Sequence, residues 1–205
     1  MIRYVIVLFI AVCIDTTAKS QISIVYSGAV GESNVVNSLG TAINGDTVSI
    51  GTFPSTFDPA ANAGNLAAIE ANWVNFDSTN TISLFGVNGR FSRQSSPVNN
   101  SFFDGKHIYL WITETSGSSV TEYGLFTSSS TDWVFPAHDS AIPPNPISSN
   151  EVNDFLFGDG ISSGNPASAT PGSLQTAVVP VPEPSGIALL GIGLVISRFY
   201  SRRIR

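Results

Sequence analysis

The stretch His107-Ile108-Tyr109-Leu110-Trp111-Ile112-Thr113 is the clearest strand in the chain. Side chains alternate across a strand, so Ile108, Leu110 and Ile112 share one face and Tyr109, Trp111 and Thr113 the other. Both faces are largely apolar, which suits a central strand covered on both sides. Val120 to Thr127 pairs naturally with it across a Gly/Ser-rich turn, and Asp132 to Phe135 reads as a further strand.

Upstream, short β-rich runs are separated by Gly, Asn, Asp, Ser and Pro. Ile22 to Tyr26 reads as the first strand. Asn44-Gly45-Asp46 reads as a hairpin turn between Ala42-Ile43 and Thr47 to Ile50. Thr81 to Phe85 is another strand, followed by a turn at Asn88-Gly89. One helix interrupts this pattern: Leu66, Ile69, Trp73 and Phe76 fall on a single apolar face, with Asn65 as N-cap. From Ala137 the chain turns rich in Pro, Ser, Gly and Asn. Residues 137–178 therefore read as loop and linker, partly packed on the domain, with Asn153 to Phe157 as a short ordered piece.

Only 12% of the 205 residues are charged, about half the share in an ordinary soluble domain, roughly 25%. Hydroxyl and amide side chains must cover the surface instead, as in many secreted β proteins. The net charge is −6, but between Gln21 and Pro180 three basic residues face thirteen acidic ones, a local balance of −10. Such a surface repels phosphate, which excludes nucleic acid as a partner.

Both ends read as targeting segments. Arg3, the apolar run Val5 to Ile14 and the small-x-small site Ala18-Lys19-Ser20 make residues 1–20 a secretory signal peptide. The single cysteine, Cys13, lies inside that apolar run, so the exported chain from Gln21 carries no thiol and no disulfide. At the other end, Pro182-Glu183-Pro184 precedes the apolar run Gly186 to Ile196 and four arginines, Arg198, Arg202, Arg203 and Arg205. Eleven helical residues cover about 17 Å, whereas a bilayer core is about 30 Å thick. Extension through Phe199 and Tyr200, with arginines reaching outward, closes much of that gap. The arginines stay cytoplasmic by the positive-inside rule, which places residues 21–180 outside the cytoplasmic membrane.

Val181-Pro182-Glu183-Pro184-Ser185, a short Ala/Leu/Gly-rich helix and an arginine tail together resemble the PEP-CTERM sorting signal. The same region is also catalogued as an ice-binding-protein C-terminal region. The resemblance implies processing by an exosortase, a membrane cysteine protease or transpeptidase of exopolysaccharide-producing Gram-negative bacteria. On that basis Val181, Pro182, Glu183, Pro184 and Ser185 are recognition residues for another enzyme. The chain departs from the usual motif at Gly186, where Thr is common, and at Phe199-Tyr200 within the basic tail. A weaker similarity to uncharacterised exported PEP-CTERM proteins runs through Ile50 to Pro54, Asn62 to Leu66, Gly105 to Trp111, Tyr123 to Thr127 and Trp133 to Pro136.

The organisation expected is a signal peptide at 1–20, a β-rich exported domain at 21–136, the 137–178 segment, and a sorting signal at 179–205. The fold expected is mainly β, a sandwich-like antiparallel domain with one short amphipathic helix, an N-terminal signal helix and a C-terminal transmembrane helix. No zinc-protease motif or phosphate loop is present in the sequence. No catalytic residue, metal ligand set or cofactor is expected. His107 and His138 are the only histidines, and Asp154 to Gly160 lacks the alternating acids of a calcium loop. Glu114 and Glu122 are placed to face each other across a hairpin, as a glycosidase pair would, though rim carboxylates are commoner. Trp111 and Trp133 are the ligand-stacking candidates, while Trp73 fits a core face. The expected role is structural or adhesive, at the cell envelope or in the extracellular matrix beside exopolysaccharide, after transient residence in the inner membrane. A carbohydrate-binding module and a secreted hydrolase are the alternatives. Ice binding would need a regular Thr-x-Thr array, which the sequence lacks.

Overall fold

A computed structural model describes residues 21–28, 34–84, 86–95, 98–140, 146–161 and 173–180. The signal segment and the sorting signal beyond Pro180 lie outside these. In chain order the strands are β1 (Val25–Ser27), β2 (Val35–Val36), β3 (Thr47–Thr52), β4 (Val74–Asn80), β5 (Ile82–Leu84), β6 (Val87–Arg90) and β7 (Ser92–Gln94). They continue as β8 (Tyr109–Ser116), β9 (Ser119–Thr127), β10 (Ile147–Ser148), β11 (Asp154–Phe157), β12 (Asp159–Ile161), β13 (Ser173–Gln175) and β14 (Ala177–Val178). Among the described residues a single α-helix, α1 (Leu66–Asn72), sits between β3 and β4.

The protein is mainly β. The large sheet runs β11-β9-β8-β3-β4, with β14 added to β9. Strand β8 lies in its middle, as its two apolar faces require. Ile108, Leu110 and Ile112 are buried in the main core, together with Val48 and Ile50 of β3 and Phe126 of β9. Tyr109 and Trp111 point the other way, into a second cluster with Phe53, Ile69 and Leu125. Two smaller sheets, β10-β1-β7 and β12-β13-β2, supply Tyr26, Ile147, Val35 and Leu174 to the main core.

Several local expectations give way to longer-range pairing. Helix α1 has the expected cap, with Asn65 Oδ1 accepting from the Ala68 amide at 3.2 Å. It stops at Asn72, where Trp73 becomes extended. The next seven residues, Val-Asn-Phe-Asp-Ser-Thr-Asn, are mostly poor helix formers. They make β4 instead, and Phe76 is buried in the main core rather than on the helix face. Gly45 adopts the positive φ of +98° that its turn requires. The turn does not join two paired strands, however. Gly45 donates to the Thr81 carbonyl at 2.9 Å and Thr81 donates to that of Asp46 at 2.8 Å, while Ala42 bridges to Val36.

Asn88-Gly89 is not a turn but part of β6, whose partner is β5. Gly89, at φ +75°, packs against the Val35 backbone, where a Cβ would collide with the carbonyl oxygen. Glycine within a strand marks such a close approach. Asp132 to Phe135 forms only an isolated bridge, His107 to Val134, while Trp133 and Phe135 fill the core.

Residues 147–178, expected to be mainly loop and linker, supply the five strands β10 to β14. The pairing is also not wholly antiparallel: β1 and β2 pair in parallel with β10 and β13, respectively. Parallel partners need long connections, and here they bring opposite ends of the described chain together. Among the described residues, no helix is long and apolar enough to cross a membrane.

Candidate functional site

Three surfaces gather the chemistry. The first is the second face of the large sheet. Trp111 of β8 meets Trp73 edge-on at a 5.2 Å ring separation, and Phe53 makes the same kind of contact with both Trp73 and Tyr109. Trp73, Tyr109 and Trp111 are each only partly buried. A row of small polar groups adjoins them. Ser49 and Ser78 share a hydrogen bond at 2.9 Å across β3 and β4, Ser78 donates to Asn75 Oδ1 at 3.2 Å, and the Trp73 indole reaches the same oxygen at 3.4 Å. The Trp111 Nε1 is buried without a partner. Partly exposed indoles beside hydroxyl and amide groups form the type of surface that sugars stack on.

Trp133, the other stacking candidate, is 1% exposed in the main core, with its indole donating to Glu151 Oε2 at 3.1 Å. It offers no open ring face. Its orientation follows from the bridge to His107, a long-range pairing that local sequence does not encode.

The second surface is a row of carboxylates. Glu114 pairs with Glu122 in the β8–β9 register, as expected. The β3–β8 register pairs Thr47 with Thr113, which brings Asp46 to the next place in line. The three acids stand on adjacent strands at the end of the main core face. Glu122 accepts from the Ser38 amide at 2.7 Å, the Ser38 hydroxyl at 2.6 Å and the Thr176 hydroxyl at 2.8 Å. Asp46 Oδ2 and Glu114 Oε2 are buried without partners. Burial, then repulsion from Glu114 and Glu122, pushes the Asp46 carboxyl up to about 7. Burial, then Glu122, also raises Glu114. No group of three His, Cys, Asp or Glu side chains among the described residues is placed to hold a metal ion.

The two histidines have different partners. His107 packs edge-on against Tyr109, and burial above all lowers its pKa. His138 Nδ1 lies 2.6 Å from Asp104 Oδ2. The Asp154 to Gly160 stretch forms β11 and the start of β12 around Gly158, at φ +94°.

The third surface is where the chain leaves the domain. β14 runs antiparallel to β9, with Ala177 opposite Tyr123 and Val178 opposite Glu122. The Val179 amide then donates to the Thr121 carbonyl at 3.0 Å. The Gln175 side chain holds the Asn37 and Ser38 carbonyls at 3.2 and 3.0 Å. A groove lined by Gly64, Leu66, Ala67 and Glu70 ends at Val179 and Pro180. The recognition residues Val181 to Ser185 and the four tail arginines follow, outside the described residues.

A family model of the PEP-CTERM protein-sorting motif matches residues 180–205. The chain thus carries a PEP-CTERM sorting signal. That motif implies export and a membrane-anchored C-terminal signal processed by an exosortase. No curated protein and no solved structure matches the chain.

Proposed function

We propose that this is a non-enzymatic surface or extracellular-matrix protein with a structural or adhesive role alongside exopolysaccharide. In this reading its sandwich-like β domain is carried to the inner membrane, cut free by an exosortase and left at the envelope or outside it. The observation that carries the reading is the sorting motif at 180–205, which begins one residue after Val179, the last of the described residues bonded to the sheet. A surface low in charge and rich in hydroxyl and amide groups suits many weak hydrogen bonds to polysaccharide. The test is to replace Pro182, Glu183 and Pro184 with alanine in an exosortase-bearing host. The variant should stay uncut in the membrane fraction; identical fractionation of variant and wild type would sink the proposal.

A second reading, a carbohydrate-binding module, is favoured by the partly exposed Trp73 and Trp111 beside Ser49, Asn75 and Ser78. It differs from the first in requiring a defined glycan ligand.

A further inference from the structure

We infer that, before processing, the short tail holds the domain against the outer surface of the bilayer. The face presented to lipid is the end that carries the β8–β9 hairpin tip, Leu39 and Val178. This rests on the reading of Gly186 to Ile196 as a membrane segment.

The sheet is bonded up to Val179, and the apolar run starts at Gly186. Six residues, Pro180 to Ser185, must bridge the two. Fully extended they reach at most about 21 Å. Antiparallel pairing sends β14 toward the Ser119 end of β9, so the chain leaves on the same side as the turn at Gly117-Ser118. That turn projects past Thr121 by about three residues, or roughly 10 Å. With the strands pointing at the bilayer and the linker fully extended, the hairpin tip stands about 11 Å from the hydrocarbon edge, a gap that the headgroup layer half fills. A strand as long as β9 spans about 30 Å, so the tail is shorter than the domain it holds.

The chemistry of this end suits a lipid surface reached by tether rather than by attraction. Thr115 to Ser119 are exposed and uncharged. Leu39 is 81% exposed and Val178 60% exposed, so both offer apolar surface at this end. No lysine or arginine lies on these segments, and Glu122 is close by, so anionic headgroups offer no electrostatic pull. Strand pairing of β14 and the Thr176–Glu122 bond hold the chain in the sheet, so the linker does not lengthen by peeling β14 away.

The test uses the full exported chain, purified from a host lacking exosortase and placed in phosphatidylcholine nanodiscs containing a nitroxide-headgroup lipid. Fluorescent labels are attached at Ser118→Cys or Thr131→Cys, the only thiol in the exported chain in each case. Position 131 lies past the opposite end of β9. The label at 118 should be quenched several-fold more than the label at 131. Equal quenching at both, with the chain still in the nanodisc, overturns the inference while leaving the anchor intact. A chain that separates from the nanodiscs overturns the anchor reading as well. Inserting a Gly/Ser spacer of about thirty residues after Pro180, about 30 Å in mean reach, should abolish the difference. If the difference survives the spacer, the tether is not its cause.

Discussion

Glu122 stands opposite Glu114 across the β8–β9 ladder, and the two carboxylates are served unequally. Glu122 receives three hydrogen bonds that tie the Asn37-Ser38 segment and the last strand to the sheet. Glu114 and its neighbour Asp46 each keep a buried oxygen without a partner. Like charges placed directly across a ladder destabilise it. Protonation is the remaining way to relieve the row, and that makes the domain sensitive to pH.

Asp46 is pushed from 3.8 to about 7, first by burial and then by Glu114 and Glu122. The folded state thus holds this proton more tightly than the unfolded chain does. Its contribution to stability is complete below about pH 4 and is lost as pH rises through 7. Thermal melts from pH 4 to 9 should show Tm falling across that window. Asp46→Asn should flatten the fall and raise stability at pH 8 by about 1–2 kcal/mol, a figure discounted for solvent screening. A variant that keeps the wild-type slope would remove Asp46 as its source.

Asp77 accepts from two donors of very different burial, and burial decides which matters. Tyr26, 1% exposed, donates to Oδ2 at 3.1 Å. Arg93 donates to the same oxygen at 2.8 Å from a side chain that is 43% exposed. Exposed ion pairs contribute little, whereas losing a buried bond leaves a desolvated group unpaired. Tyr26→Phe should therefore cost about 1 kcal/mol in urea unfolding, and Arg93→Ala less than that. The reverse order would show that the β7–β4 ion pair, not the β1–β4 phenol bond, is the stronger tie to Asp77.

Which parts of this fold could be read locally follows from the range of the interactions involved. The two faces of His107 to Thr113 were legible because alternation is written within seven residues, and the Asn65 cap because it spans three. Asn44-Gly45 marks a turn with positive φ at its glycine, whereas Asn88-Gly89, expected as a turn, lies within β6. They could not say what lay across from them, because Thr81 and Val35 come from distant parts of the chain. Trp133 and Phe76 were misplaced for the same reason: their burial depends on which sheet face they reach. Glu114 and Glu122 could be paired through one hairpin. Asp46 joins them only through the β3–β8 register, across 60 or more residues.

Gly89 gives a direct test of one such long-range contact. Its φ of +75° already disfavours any L side chain, and an added Cβ would collide with the Val35 carbonyl. Because that neighbour is backbone, it cannot rotate away. Gly89→Ala should cost about 3 kcal/mol, combining left-handed strain with displacement of β2. Denaturant melts check the size. A loss below about 1 kcal/mol would mean that β2 yields freely to β6.

The aromatic surface separates the two functional readings most sharply. Trp73 and Trp111 touch edge-on and are partly buried, so truncating either also removes packing from the cluster around Phe53. Alanine at either position confuses folding with binding, and a gentler pair of changes is needed. Trp111→Phe keeps an aromatic ring and discards the unpartnered indole Nε1, while Asn75→Ala removes a polar group at the rim, with the long Trp73 Nε1 bond to it, and leaves the ring packing in place. If the surface binds a glycan, Asn75→Ala should weaken binding roughly tenfold, about 1.4 kcal/mol, for one lost hydrogen bond. Its melting temperature should remain near wild type, because Asn75 is exposed. Trp111→Phe should retain the fold and lower affinity in the same assay. Binding measured by glycan array and confirmed by calorimetry would distinguish a defined sugar ligand from diffuse adhesion. Diffuse adhesion predicts no saturable site and no difference between these variants and wild type.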